Sequence, residues 1–185
     1  TERLPEEATR RGFLIASPNG PAEADGFGRS RQSVDFIRAV IGDMEATYSV
    51  DPDRISLDGF GTGGSAALTT GALLPDRFRA IICRAGSGQT LLELGLEPFN
   101  LQDLGIVLVH GDADGVTPAS QALQTARTFL RADLAVESLI LAGRGHVDFA
   151  EKNAELCFSK MPISRKRLRS SQTPSLTDIS AALTL

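Results

Sequence analysis

Residues 54–65, which read R-I-S-L-D-G-F-G-T-G-G-S, decide the fold of this chain. A short apolar strand at residues 55–58 runs into a turn of glycines, and a helix of small residues follows at 65–74. Gly59 and Gly63 suit a turn in which a Cβ would clash with the neighbouring strand and helix. The stretch therefore predicts a strand, a sharp turn and a helix in direct succession.

The alternation of strands and helices continues along the chain. Apolar strands are predicted at residues 12–18, 55–58, 79–84, 105–110 and 136–142. Helices are predicted up to Gly12, at 33–48 and 65–74, from Thr117 as the N-cap, and at 147–160. Such alternation favours right-handed βαβ units, and hence a three-layer α/β/α sandwich with a mostly parallel sheet. The functional site of such a sheet lies beyond the carboxyl ends of its strands.

Composition excludes several classes of function. The 185 residues are 42% hydrophobic and 23% charged, with a formal net charge of −4. This balance predicts no general attraction to nucleic acid or to an anionic membrane, and no apolar run nears the roughly 18 residues that span a bilayer. The two cysteines, Cys83 and Cys157, form no disulfide or metal pattern, and Cys83 lies in an apolar strand that predicts a core position. We predict neither a metal nor a cofactor.

The domain organisation follows from the same patterns. Residues 1–160 are predicted to form one α/β domain, and 161–185 a C-terminal extension or edge strand. The basic run at 165–169 is interpreted as a solvated face rather than a nucleic-acid patch. The chain begins at Thr1, inside the pattern of a helix, which indicates a domain cut from a longer protein. Its compartment is therefore left open.

Three polar segments follow the strands that matter for chemistry. The turn at residues 59–63 has the form G-x-S-x-G, except that glycine occupies position 61, where that pattern has a serine. The segment H-G-D-A-D at 110–114 follows the most apolar strand, and G-R-G-H at 143–146 follows the last strand. A turn, an acid and a histidine thus come in the chain order of a nucleophile, a carboxylate and a general base.

On these segments the chain resembles the α/β-hydrolase superfamily, chiefly its esterase, polyhydroxyalkanoate-depolymerase-like and prolyl-oligopeptidase-like branches. The resemblance covers roughly residues 12–158 and rests on the four phrases at 50–64, 74–86, 107–118 and 143–146. It implies that Asp114 is the triad acid and that His146 is the general base. It also implies that Gly61 stands, vacant, at the position of the nucleophile.

The resemblance implies further site residues. The backbone N–H of Thr62 would be one oxyanion donor, while Phe60 and Asp58 would contact a ligand.

His110 is interpreted as a structural residue that caps its strand, and Asp112 as a residue that binds amides of its own turn. Ser65, the nearest hydroxyl, is predicted to point along the helix, several ångströms from the tip of the turn.

Two features depart from the family's pattern. Gly61 has no side chain and cannot form an acyl-enzyme. The family's oxyanion loop follows a strand that would precede residues 12–18 and lie in the sheet between them and residues 55–58. This chain begins after that strand, so we expect the N-terminal strands to be lacking. Either an upstream segment of the same parent protein fills the gap, or the sheet closes in a different order.

Whether the chain is an enzyme is left open by its sequence. The first interpretation is a hydrolase-fold domain that has lost catalysis and binds an ester-like small molecule or a protein, or is a structural module. The alternative is an active ester or peptide hydrolase in which His146 and Asp114 activate water or another nucleophile. A third, nucleotide binding by the glycine-rich turn, is disfavoured because G-x-G-x-G-G lacks the dinucleotide spacing and no Walker lysine follows.

Overall fold

The computed structural model describes residues 3–19 and 31–147. Its helices are α1 (Arg3–Arg11), α2 (Arg31–Thr47), α3 (Thr62–Leu73), α4 (Gln89–Glu93) and α5 (Ala119–Arg131). Its strands are β1 (Ser56–Phe60), β2 (Ala80–Arg84), β3 (Gly105–Gly111) and β4 (Val136–Leu141). Short 3-10 helices lie at Pro52–Arg54, Pro75–Arg77 and Pro98–Leu101.

The strands form one four-stranded sheet in the order β1-β2-β3-β4, and every neighbouring pair is parallel. β2 and β3 are buried along their whole lengths. This burial agrees with strand sequences that are nearly continuous in apolar residues, as parallel strands covered on both faces require. The predicted α/β architecture with a parallel sheet is confirmed.

Two hydrophobic clusters occupy the two faces of the sheet. The larger cluster joins residues of α3 and α5, with Ile37 and Ile41 of α2, to one face; among its fully buried members are Leu68, Ile81, Leu108 and Phe129. Cys83 belongs to this cluster, so its predicted core position is confirmed, and burial raises the pKa of its thiol to about 12. The smaller cluster, on the other face, contains Ile82, Ala85, Val107 and Val109.

The strand predicted at residues 12–18 is wrong. In the described structure this segment is irregular, and Leu14 and Ile15 are 53% and 46% exposed. The predicted order placed another strand between this segment and residues 55–58, and no described residues occupy that place. Without a backbone partner an extended segment cannot form a ladder. The helix predicted before Gly12 is confirmed as α1.

Element boundaries differ from prediction at three places. α3 begins at Thr62 rather than at 65, and residues 85–102, for which no helix or strand was predicted, contain α4 and a 3-10 helix. Thr117 is not the N-cap of α5, which begins at Ala119 after Pro118. The carbonyl of Thr117, which an N-cap residue would offer to the first turn of the helix, instead contacts Nε2 of His110. The helix predicted at 147–160 lies outside the described residues apart from Val147, which is not helical, and the extension at 161–185 lies wholly outside them.

Candidate active site

The turn between β1 and α3 holds Gly61 in an unusual backbone conformation. Its φ is 58° and its ψ is −122°, a combination that strains any residue other than glycine. The Gly61 N–H donates a hydrogen bond of 2.8 Å to the carbonyl of Arg84, so the turn is fixed to the end of β2. A Cβ placed on Gly61 would lie 3.4 Å from Nε2 of His146. Position 61 therefore faces the imidazole, but it carries no group that could react.

His146 and Asp114 form a hydrogen-bonded pair. Nδ1 of His146 lies 2.8 Å from Oδ2 of Asp114, and the Asp114 side chain is 0% exposed whereas that of His146 is 23% exposed. A carboxylate only accepts hydrogen bonds, so Nδ1 carries the proton in this contact. In the neutral ring Nε2 is then left as an acceptor, and this is the atom that faces Gly61. The pair has the geometry of a general base held by an acid.

The loop after β3 wraps around the Asp114 carboxylate. Oδ1 accepts the backbone N–H groups of Val116 and Thr117, each at 2.8 Å, while Oδ2 faces His146. Burial alone would raise the pKa of Asp114, but the Thr117 amide, the His146 ring and the Val116 amide together outweigh it. The pKa of Asp114 is therefore below its ordinary value of 3.8. Asp114 is ionised at neutral pH, as the acid of such a pair must be.

Acid should remove the stabilisation that comes from Asp114. Because its pKa is lowered on folding, its contribution is complete above pH 3.8 and is lost as the pH falls through the lower folded value. We expect the unfolding free energy of the wild type to fall below pH 3.8 more steeply than that of Asp114→Asn, which cannot titrate. Urea denaturation of both proteins from pH 7 to pH 3 measures this, and parallel pH curves would contradict it.

Two hydrogen bonds join the acid-bearing loop to the histidine-bearing loop after β4. Ala113 donates its N–H to the carbonyl of Arg144 at 2.9 Å, and the N–H of Gly143 donates to Oδ1 of Asp112 at 2.6 Å. The prediction that Asp112 binds amides of its own turn is thus wrong, because the amide belongs to the histidine loop. The two loops meet because β3 and β4 are neighbours in the sheet and end together.

The other predicted site residues lie in different surroundings. The Phe60 ring is 4.9 Å from the His146 ring between centroids, so Phe60 borders the pair. Thr62 is the first residue of α3, and its N–H is among the amides that have no acceptor inside a helix. The Asp58 carboxylate accepts from Nε and Nη2 of Arg84 at 2.8 and 3.1 Å. The ligand-binding and oxyanion roles of these residues stay predictions.

The hydroxyl of Ser65 has a structural hydrogen-bond partner, and the apolar residues of the 85–102 segment differ in burial. The Ser65 hydroxyl accepts the backbone N–H of Ser87 at 3.0 Å, which gives it a structural role at the base of the turn. In this segment Leu91 is fully buried in the larger core cluster, whereas Leu94 is largely exposed. Leu91 is therefore a core residue.

The sequence interpretation missed the contribution of Arg84. Its carbonyl holds Gly61 and its guanidinium holds Asp58, so it braces the turn from two sides. A charged residue that ends an otherwise apolar strand requires a partner when it is buried. The available signal was Asp58, which lies on the same face of β1 as Phe60. Phe60 pairs in register with Arg84.

Among residues 3–19 and 31–147, histidine, cysteine and acidic side chains form no cluster of three or more that could hold a metal ion. No helix in this part of the chain is long and apolar enough to cross a membrane.

Comparison with known sequences points to one family. A family model described as Phospholipase/Carboxylesterase matches residues 16–154. NocK of Nocardia uniformis subsp. tsuyamanensis, a protein named as an esterase, is 34% identical over 88 residues, which are 46% of this chain. The matched stretch is about a quarter of the length of that relative, at 24%.

Solved structures, among them two esterases, share the fold. Esterase PE8 superposes with a TM-score of 0.67 at 21% identity, covering 84% of this chain and 81% of its own. A truncated carbohydrate esterase from gut microbiota gives 0.63 at 16% identity, with coverages of 85% and 78%. SOBER1 of Arabidopsis thaliana gives 0.55 at 18% identity, with coverages of 78% and 68%. At these identities the likeness concerns the fold alone.

Proposed function

Since this chain belongs to the phospholipase/carboxylesterase family of α/β-hydrolases and has glycine at position 61, we propose that it binds an ester-like small molecule without forming an acyl-enzyme. One observation carries this proposal. The glycine occupies a turn whose φ of 58° and whose approach to His146 suit a nucleophile, yet it has no atom that could attack a carbonyl.

The surroundings of Gly61 suit a carboxylic ester better than a charged or extended ligand. Nε2 of His146 faces the place of the missing side chain, and the Phe60 ring supplies an apolar wall beside it. The N–H of Thr62, at the start of α3, is the donor in reach of a carbonyl oxygen bound over the turn. The hydroxyl of Ser65 accepts the backbone N–H of Ser87, and so has a structural partner away from the missing side chain.

A second candidate, slow hydrolysis by activated water, is favoured by the assembled acid and imidazole. Nε2 of His146 would take a proton from a water molecule as the hydroxide oxygen attacks the ester carbonyl. The tetrahedral intermediate would then release the alcohol, which recovers the proton from Nε2, and leave the carboxylic acid. General-base help of this kind is worth about 10²–10⁴-fold, which suits activated esters rather than peptide bonds.

Assays with short-chain p-nitrophenyl esters test both candidates. The binding proposal predicts that any release of p-nitrophenol is the same in His146→Ala as in the wild type. It also predicts that calorimetry detects binding of a non-hydrolysable ketone analogue of the ester. The water mechanism predicts steady turnover without an initial burst of p-nitrophenol, reduced about 10²-fold or more in His146→Ala.

Two results would overturn the proposals. A burst equal to the amount of protein would reveal an acyl-enzyme, and so a nucleophile other than position 61. Failure to bind the ketone analogue and to turn over any ester would remove the ester site altogether. Asp43→Asn, which alters an exposed carboxylate of α2, is the matched control and should leave binding and turnover unchanged.

A further inference from the structure

His110 touches the same carboxylate oxygen as His146. It lies near the end of β3 and is 1% exposed. Its Nε2 lies 3.3 Å from Oδ2 of Asp114 and 2.5 Å from the backbone carbonyl of Thr117. Both of these oxygens only accept hydrogen bonds, so Nε2 of His110 carries a proton and is shared between them, mainly with Thr117 because that contact is shorter.

The contact with Thr117 closes the acid-bearing loop upon itself. The N–H of Thr117 donates to Oδ1 of Asp114, while its carbonyl accepts from His110. Thr117 is thus held through both its N–H and its carbonyl, and the loop cannot widen without breaking one of these bonds. A rotation of the carboxylate would likewise break the two amide bonds at Oδ1. The arrangement leaves Oδ2 facing His146.

We propose that His110 is a positioning residue, which holds the 114–117 loop closed and so keeps Oδ2 of Asp114 on Nδ1 of His146. This goes beyond the capping of a strand, because the effect is transmitted to another side chain. It concerns the same site as the proposed function, although it depends only on the geometry of the pair and not on any turnover.

Nuclear magnetic resonance of the imidazole protons tests the proposal without any substrate. The chain has two histidines, so their ring signals can be assigned by mutation. The proton on Nδ1 of His146 should be strongly deshielded by its 2.8 Å bond to Asp114. In His110→Leu this signal should be lost or broadened by exchange, whereas His110→Gln, which keeps a donor near Nε2, should retain it.

Thr125→Val is the matched control for general destabilisation. Thr125 is a buried residue of α5 that hydrogen-bonds to Gly88 and Gln121, away from the acid-bearing loop. This variant should lose stability and keep the His146 signal. An unchanged His146 signal in a folded His110→Leu protein would overturn the proposal. So would the loss of that signal in a Thr125→Val protein that is folded to the same extent as His110→Leu.

A measurement on the wild type keeps the proposal testable if His110→Leu does not fold. Nitrogen chemical shifts of the His110 ring should show the proton on Nε2, and the amides of Val116 and Thr117 should exchange slowly with solvent. A ring protonated on Nδ1 alone could not donate to Thr117 and would overturn the assignment. If Gly61→Ser confers ester hydrolysis, adding His110→Leu should lower kcat by about tenfold or more with little change in KM.

Discussion

Gly61→Ser should convert the protein into one that fluorophosphonates label covalently and that hydrolyses short-chain esters through an acyl-enzyme. A Cβ at this position lies 3.4 Å from Nε2 of His146, an ordinary contact distance, so the serine fits and its oxygen comes within hydrogen-bonding reach of the imidazole. Loss of the serine from a complete triad costs about 10⁶-fold in kcat. We therefore expect a gain of at least about 10³-fold in ester turnover.

Gly61→Ala is the control that separates chemistry from strain. It places the same Cβ at a φ of 58°, at a cost of roughly 1–3 kcal/mol, but supplies no oxygen. Labelling of the serine variant should disappear when His146→Ala is added. A folded Gly61→Ser protein that takes up no fluorophosphonate would show that the site lacks more than its nucleophile.

Gly59→Ala should be among the most destabilising single substitutions in the chain. The added Cβ would lie 2.1 Å from the carbonyl oxygen of Gly63 and 2.3 Å from its carbonyl carbon. These are backbone atoms of the turn and of α3, so they cannot rotate away as a flexible side chain would. We expect a loss of about 4 kcal/mol in unfolding free energy, measured by urea denaturation.

The same turn offers the matched control, Gly63→Ala. A Cβ at Gly63 meets nothing within 4 Å, and this residue is in the first turn of α3. Alanine there should be neutral or stabilising by up to about 1 kcal/mol, because it favours the helix. Equal stabilities of the two alanine variants would contradict the close packing of the turn on α3.

The fold and the arrangement of the site could be predicted from local patterns. β2 and β3 are apolar runs bounded by turn residues, and the order of Gly61, Asp114 and His146 along the chain placed each after its own strand. Parallel strands end at the same edge of the sheet, so three residues far apart in sequence were expected to meet there. The 2.8 Å contact of Asp114 with His146 and the approach of Gly61 confirm that they do. Their chemical roles stay predictions.

Tertiary contacts decided what local patterns did not. The glycines at 63 and 64 looked like a turn because their helix propensity is low, yet α3 begins at Thr62 and packs on β1 and β2. The ion pair of the Asp58 carboxylate could not be foreseen because Arg84, its partner, lies 26 residues away. Thr117 followed by proline looked like a helix cap, but its carbonyl, which a cap would offer to the helix, contacts His110 instead.

The spacing of the acid and the imidazole depends on two hydrogen bonds between their loops, a main-chain bond from Ala113 to Arg144 and a bond from the Gly143 N–H to the Asp112 carboxylate. Residues such as Phe60, Val116 and Val147 contribute no side chain to these bonds. Changes to those side chains should therefore preserve the distance between the two groups. A library randomised at such positions should contain mostly folded members that share one spacing of Asp114 and His146.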